Sequence, residues 1–537
     1  MKTSHNSCRI RILFATLVFV FLTAGGCNPG MDDHQRRAAE GEVIVGVDEA
    51  AESLDPRIGT SLASYRVHQL IYNPLTDQDI DGRIVPSLAE SWESEEIPGD
   101  SGSRWIWRFK LRSGVLFHDE RPLTADDVVY TYSSLLSPEF VSRKKAAFDF
   151  VESVAAESPL SVVFTLDKPQ PWFPAALAAV GIVPEGFGKN DQPVGTGPFR
   201  YKGREGSQRF FFAGNENFFL GAPGIEKLTL KVVPDPTTMA LELMHGSIDL
   251  IVNDISPNAV PLMRSRGFNV VTAPGLPYEY IGINHRHPVL GDRLVRQAIA
   301  HAIDREAIIS TYLDSLARPA VCPLLPRLWE GKPEFAYYEY EPEKAKKLLD
   351  AAGYPDPDGG GPEMRFSIIY KCSTNRGGRD LATIFKQQLS EIGIDLDVRS
   401  LEFQTFYADI VAGNFALYQL RWVGIANPDF FGAAFHSTSV PDVPGQMAPA
   451  QSQRRGSFNR GRYNNPEVDL LIEQAEAEQD MEHRWRILAR LQKTLAEDLP
   501  YIDLWYRDNF VVGRPDLEGF ELTLNASFSA LRKLRYR

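Results

Sequence analysis

Cysteine is scarce in this chain, with only Cys8, Cys27, Cys322 and Cys372 among 537 residues. No two of them stand in a CxxC pair, which excludes a zinc ribbon and a thioredoxin-like redox site. A phosphate-cradling GxxxxGK[ST] segment is also missing, so the chain does not itself hydrolyse nucleotide. HExxH and GxSxG are absent, and the ten histidines are scattered without a cluster. A catalytic reading is therefore poor, and no cofactor is expected. Positive charge is in deficit as well, at −13 overall and without a run of like charges. Nucleic acid and anionic lipid reward clustered Lys and Arg, so neither is expected to be recognised by the body of the protein. Beyond Cys27 no apolar stretch reaches the roughly 20 residues that a membrane-spanning helix needs.

What is present begins at the N-terminus. Lys2, Arg9 and Arg11 precede an unbroken apolar run from Ile12 to Leu22, then Ala24-Gly25-Gly26 and Cys27. Basic, apolar and small residues in that order make a secretory signal over residues 1–26. Its loss removes three positive charges, taking the net charge from −13 to −13 − 3 = −16. A cysteine directly after small residues resembles a bacterial lipobox, which implies lipidation at Cys27 with acyl chains enough for stable anchoring. Asn28 is not the aspartate that commonly retains such proteins in the inner membrane. Residues 27–41 read as a lipidated tether. The expected location is the periplasmic or outer cell-surface side, held to a membrane through the N-terminal lipid only. In that oxidising setting Cys322 and Cys372 are free either to pair or to stay buried as thiols.

The composition is that of an ordinary globular protein, 43% hydrophobic and 24% charged, and too long for one core. Short strands alternate with helices from Glu42 onward. Val43 to Val47 reads as a buried strand, and Trp105, Trp107, Phe109 and Leu111 alternate with polar residues as another. Thr124 and Asp127 form a capping box that opens a helix. Leu228, Leu230 and Val232 mark a further strand. Leu294, Val295, Ala298, Ile299, Ala302 and Ile303 share one helical face behind Asp292 as N-cap. Pro342 opens a helix that ends at Gly353. Asn465-Pro466 opens a long helical region that Pro500 stops. Residues 355–362 and 439–461 are expected as surface loops.

Several local patterns fall short of the chemistry they suggest. Gly99-Asp-Ser-Gly-Ser103 resembles a protease nucleophile loop, yet too little chain precedes Ser101 to build a barrel, so it reads as a link between strands. Gly195-Thr-Gly-Pro198 is followed by strand-like residues, leaving no helix N-terminus to face a phosphate. Asp356 and Asp358 lack the closing glutamate of a calcium loop, since Ser367 stands there. His285 and His287 offer two imidazoles without a third ligand, too few for a metal site.

The joint order of many short blocks carries more. Ser53-Leu-Asp-Pro56 precedes Ile71-Tyr-Asn-Pro-Leu75, Pro86-Ser-Leu-Ala-Glu-Ser-Trp92 and Phe109-Lys-Leu-Arg-Ser-Gly-Val-Leu-Phe-His118. Leu123-Thr-Ala-Asp-Asp-Val128, Val194-Gly-Thr-Gly-Pro-Phe199 and Gly246-Ser-Ile-Asp249 follow. Val295-Arg-Gln-Ala-Ile299, Ala302-Ile-Asp-Arg305, Lys344-Ala-Lys-Lys-Leu-Leu349, Gly353-Tyr-Pro355 and Asp498-Leu-Pro500 complete the series. From about residue 42 to 510 this order resembles the family 5 solute-binding proteins, the dipeptide- and oligopeptide-binding components of ABC importers.

The resemblance implies an α/β, two-lobed periplasmic-binding-protein fold, type II, of the large class with an extra domain, closing by a hinge. It places lobe I at 42–73, 190–277 and 500–537, the extra domain at 74–189, and lobe II at 278–499. Crossovers are expected near Pro277–Asn284 and Leu499–Asp503. Peptide-binding relatives carry a tryptophan and, three residues later, an aspartate that pairs with the peptide amine. Here the block is Arg421-Trp-Val-Gly-Ile-Ala-Asn-Pro-Asp-Phe430, so Trp422 matches and Ile425 replaces the aspartate. A buried ammonium without a carboxylate is costly, which puts free-amine recognition at this position in doubt and leaves Asp429 as the nearest substitute. The ligand contacts implied are Trp422, Arg421, Ile425, Asn427 and Asp429, with Gly59 and Thr60 from lobe I. The expected protein is a monomeric receptor and not an enzyme, and its ligand a peptide or peptide-like small molecule. Its partner is an ABC permease with separate ATPase subunits. Nickel chelates, oligosaccharides or amino-acid derivatives are the alternative ligands, and a ligand-presenting sensor or an extracytoplasmic enzyme the alternative functions.

Overall fold

Alternate valines make Glu42–Val47 a buried strand, with Val43, Val45 and Val47 all inside. It pairs in parallel with Lys227–Val232 on one side and Leu250–Val252 on the other. These three form the middle of a seven-stranded sheet, flanked by Arg209–Gly214 and Phe199–Glu205 at one edge and Asn509–Gly513 and Asn269–Ala273 at the other. The computed structural model describes residues 33–98, 103–188, 192–329, 337–425, 427–441 and 458–537. Cys27, the expected lipidation site, and Ser101 lie outside the described residues.

A second body is built on an antiparallel four-stranded sheet, Ala89–Ile97, Arg104–Leu111, Ser161–Leu166 and Val151–Ser158 in spatial order. The alternation in Arg104–Leu111 turns Trp107, Phe109 and Leu111 inward, where Phe109 meets Phe164 and Phe173 edge to face. Helix Ala125–Leu136 covers this sheet. Its capping box is present as expected, with Thr124 N–H donating to the Asp127 carboxylate at 2.8 Å. Such a cap stabilises a helix by about 1 kcal/mol.

The third body surrounds a six-stranded sheet ordered Ala317–Pro319, Tyr501–Arg507, Tyr278–Ile283, Leu417–Trp422, Phe366–Ser373 and Ile394–Leu401. One face packs on helices Arg293–Ala302, Pro342–Ala351 and Arg376–Ser390 through Ile281, Ile283, Leu417 and Trp505. The other is aromatic, presenting Tyr278, Tyr280, Tyr418, Tyr501 and Tyr506 to helices Phe403–Ala412, Phe430–Phe435, Pro466–Ala477 and Met481–Asp498. Gly282 is required here, because a Cβ would stand 2.1 Å from the Tyr418 ring. The architecture is a two-lobed mixed α/β fold with a small additional domain.

Two sequence boundaries need correction. The expected start at residue 500 puts strand Tyr501–Arg507 in lobe I, but from Tyr501 to Tyr506 it pairs with lobe II strand Tyr278–Ile283. The first sheet is regained only at Asn509, which pairs with Ala273. The chain thus passes between sheets at residues 274–277, at the start of the expected Pro277–Asn284 crossover, and at Asp508, a few residues beyond the expected Leu499–Asp503. Pro500 ends a helix, and the apolar alternation after it belongs to a strand of the second core. The long helical region after Asn465 also divides. Pro466–Ala477 stops at Glu478, and Asp480 caps a new helix, Met481–Asp498, by accepting from His483 N–H at 2.8 Å. Cys322 and Cys372 are both free and buried, one in each core of lobe II.

Candidate functional site

Strand Leu417–Trp422 runs antiparallel to Tyr278–Ile283 in the register Trp422 opposite Tyr278, Arg421 opposite Glu279 and Leu420 opposite Tyr280. Strand alternation sends Trp422 to the aromatic face and Arg421 to the other. Behind Arg421 the buried Glu279 carboxylate accepts from Arg507 Nε at 2.8 Å, Trp505 Nε1 at 2.9 Å and Gln419 Nε2 at 3.1 Å. Burial works to raise the Glu279 carboxyl, but the Arg507 and Arg421 charges outweigh it and hold the group below its ordinary range.

Trp422 stands in an aromatic cluster. Phe430 and Phe458 meet its ring edge to face at 5.1 and 5.5 Å, and Tyr280 lies near parallel to it at 6.5 Å. The Arg460 guanidinium sits 4.8 Å from its ring centre. Arg460 is itself buried, donating to the Tyr280 hydroxyl at 3.3 Å and the Tyr407 hydroxyl at 3.2 Å. Among the described residues its Nε has no hydrogen-bond partner and no carboxylate lies within ion-pair distance of it. A cation so placed is held by ring faces and hydroxyl dipoles instead of a counter-ion. Around the cluster Val423, Phe403 and Phe458 are 61%, 49% and 39% exposed, an apolar rim unusual at a soluble surface.

The loop after Trp422 differs residue by residue from its expected roles. Ile425 is buried with Phe431 and Tyr278 in the aromatic core, so its side chain fills space that a carboxylate would need desolvated. Asn427 turns back on the chain, its Oδ1 accepting from Asp429 N–H at 3.1 Å. Asp429 lies at the wall of a cleft of about 620 Å³ between lobe II and the small domain, lined also by Asp149, Lys168, Gln170, Glu473 and Arg484. Its carboxyl is 44% open to the cleft and 3.3 Å from Arg484 Nη2. The crowding of surrounding protein nevertheless pushes it up to about 6, against the pull of Arg484.

Next to Arg484, Trp172 of the small domain meets Trp485 edge to face at 5.7 Å, and the Arg484 guanidinium lies 5.7 Å over the Trp172 ring. An Arg327–Asp81 ion pair and a Gln479–Glu96 hydrogen bond of 3.2 Å also link lobe II to the small domain. Sequence reasoning did not pick out Arg460, Phe458, Phe403, Arg484 or Trp172, and it read Trp485 only as a core contact. For Trp172 the only available signal was an aromatic pair between prolines in Pro171-Trp-Phe-Pro174.

On lobe I, Gly59 and Thr60 precede helix Leu62–Ile71, which Ser61 caps by accepting from Ser64 N–H. The Thr60 and Ser61 amides donate to Glu52 Oε1 at 2.9 and 3.2 Å, which keeps that carboxyl low. Gly59 is packed so closely on Ser64 and His68 that a Cβ would approach them within 2.8 Å. Leu62, next in the chain, is exposed. Among the described residues no group of three or more His, Cys, Asp or Glu is placed to hold a metal ion, and no helix is long and apolar enough to cross a membrane.

The sequence and the fold are similar to those of known proteins. The chain is 28% identical over 535 residues to the oligopeptide-binding protein AppA of Bacillus subtilis, covering 94% of each sequence. The structure of AppA with a nonapeptide superposes with a TM-score of 0.70 at 26% identity, covering 92% of this chain and 99% of that one. NikZ of Campylobacter jejuni, solved with Ni(L-His), superposes at 0.72 with 25% identity and the same coverage. Residues 83–441 match the profile described as bacterial extracellular solute-binding proteins, family 5. That stretch holds both the four-stranded sheet and the Trp422 loop, and with it the chain belongs to the family 5 bacterial extracellular solute-binding proteins.

Proposed function

We propose that this protein is a lipid-anchored, monomeric receptor that captures a peptide or peptide-like solute between its lobes and passes it to an ABC permease with separate ATPase subunits. The observation that supports it most is the aromatic platform at Trp422, rimmed by exposed Phe403, Val423 and Phe458 and backed by the Arg460 guanidinium, beside which no carboxylate stands among the described residues. Ring faces contact many solutes without demanding a charge, and ligands favour clefts between domains. Lobe I takes 42–73, 190–277 and the segment from Asp508, the small domain 74–189, and lobe II the remainder. Closure turns about residues 274–277 and Asp508, where two neighbouring strands pass from one sheet to the other. Gly275 permits the crossing, since a Cβ there would lie 2.4 Å from the Arg507 carbonyl. With Ile425 buried, the acceptor for a peptide amine is Asp429. A non-peptide ligand is the second reading, favoured by that same absence of a carboxylate at 425 and by the fold shared with a nickel-chelate binder. Calorimetry with tri- to nonapeptides, free and N-acetylated, tests the first reading. Trp422→Ala is expected to weaken binding by about tenfold, the worth of one aromatic contact. Binding that survives both Trp422→Ala and Asp429→Asn unchanged would place the ligand elsewhere.

A further inference from the structure

Arg460 sits in the aromatic face of lobe II, on a stretch of chain that hydrogen bonds fix in place. Asn459 Nδ2 donates to the His436 carbonyl at 3.1 Å and the Tyr463 carbonyl at 2.8 Å, and its Oδ1 accepts from Tyr463 N–H at 2.9 Å. Arg462 Nη1 donates to the Arg460 carbonyl at 2.6 Å, and its Nη2 to the Val411 carbonyl at 2.8 Å. The backbone that carries Arg460 is therefore held on both sides of it. The guanidinium carbon lies 4.8 Å from the Trp422 ring centre and 5.4 Å from those of Tyr407 and Phe458. Phe458 belongs to the exposed rim, and Phe403, also of the rim, stacks on Tyr407 at 6.1 Å. The charge thus lies a single layer of rings beneath an apolar surface.

Burial takes hydration from a charge, and ring faces and hydroxyls return only part of it. The carboxylates of the neighbouring elements are engaged elsewhere. Glu402 caps helix Phe403–Ala412 by accepting from the amides of Gln404 and Thr405. Asp409 on that helix pairs with Lys371 at 2.6 Å, and Asp429 faces Arg484 at 3.3 Å. Ile425, in the loop after Trp422, is apolar and buried. Among the described residues the platform therefore holds a fixed positive charge with no negative partner. Resting on the reading of Trp422 as the ligand platform, we propose that Arg460 sets the charge of the group received there. The solute presents an anion, a carboxylate in a peptide, to the rim of Phe403, Val423 and Phe458. Ring carbon screens a charge far less than water does, so the field of the guanidinium reaches the rim. The rim supplies apolar contact to the part of the solute beside the carboxylate. An ammonium is disfavoured at the same place, which leaves the amine end of a peptide to Asp429.

A C-terminal carboxylate and an acidic side chain share this chemistry, and matched peptides separate them. Calorimetry of the full chain uses tri-, penta- and nonapeptides, each as the C-terminal acid and the C-terminal amide. A second series of amides differs only by glutamate against glutamine. The wild type is expected to bind the charged member of at least one kind of pair about tenfold more tightly. Arg460→Met should bring the two members within about twofold of each other, and Arg460→Lys should keep most of the preference. A purely structural role for Arg460 lowers both affinities alike and leaves their ratio unchanged. Equal affinities within every pair in the wild type, which needs no variant to fold, would overturn the proposal, as would a preference that survives Arg460→Met. If Trp422→Ala weakens binding while charged and neutral members bind alike, the platform stands and the charge preference alone falls. If no peptide binds, the peptide-receptor reading fails, and this inference with it.

Discussion

Replacing Glu279 by Gln changes one charge at the point where three strands of lobe II meet. One carboxylate oxygen accepts from Trp505 and Gln419 and the other from Arg507. A glutamine can offer its carbonyl to the first pair, but its amide then faces the Arg507 guanidinium with a donor. Removing one partner of a buried ion pair costs roughly 3–5 kcal/mol. Arg507 keeps 20% of its side chain exposed, so the lower end, about 3 kcal/mol, is the reasonable expectation. For a unit of this size that corresponds to a fall in Tm of about 6–12 °C. The sign with pH follows from the lowered carboxyl. Its stabilisation is complete above the unfolded value of about 4.3 and is lost as pH falls through the lower folded value. Thermal melts by circular dichroism should therefore show a wild-type advantage that is constant between pH 5 and 7.5 and closes below about pH 4. Arg507→Met in the Glu279→Gln background should recover part of the loss. A gap under about 1 kcal/mol at pH 7.5, or one that persists unchanged below pH 4, would show that this network does not hold the strands together.

Asp429 provides the opposite case. Because its folded carboxyl is raised to about 6, its contribution to stability is present below about 3.9 and lost as pH rises through 6. Asp429→Asn should thus gain in Tm relative to the wild type at pH 7.5 but not at pH 4, and a gain at both would contradict the raised value. If Asp429 receives the peptide amine, affinity should fall up to about tenfold per unit below pH 6, by calorimetry, and be flat in the asparagine variant. Cys322 and Cys372 should be silent to a thiol reagent in the native state and react as two thiols in denaturant, with no change of Tm on adding reductant. Gly275→Ala should lower Tm by a few degrees, since the added Cβ meets a backbone carbonyl that has little room to move.

The fold was legible where local pattern and burial agree. The valines of Glu42–Val47, the alternation in Arg104–Leu111 and the capping box at Thr124 each encode an element without help from distant residues. The strand Tyr501–Arg507 was misassigned for a physical reason. Its residues are buried on both faces, so they read as a strand, but nothing local distinguishes a strand of one sheet from a strand of its neighbour. That choice is made by pairing with Tyr278–Ile283, more than two hundred residues earlier in the chain. The break at Glu478–Asp480 had a readable signal, because Asp480 is a good N-cap, though the helical pattern on either side hides it.

The site divides along the same line. Trp422 was visible because it sits in a short block with a recognisable order, and Ile425 because it departs from that order. Arg460 is separated from Trp422 by 38 positions of sequence, and in the chain it is one of two arginines in Asn459-Arg-Gly-Arg462. Its neighbour Arg462 shares the same local composition but spends its guanidinium on the Arg460 and Val411 carbonyls, satisfying backbone. Arg460 instead meets two tyrosine hydroxyls and three ring faces, and among the described residues its Nε donor finds no acceptor. Composition does not separate the two residues, and only the fold assigns Arg462 to backbone carbonyls and Arg460 to the aromatic cluster around Trp422. An unspent buried donor costs about 1–3 kcal/mol unless something accepts from it.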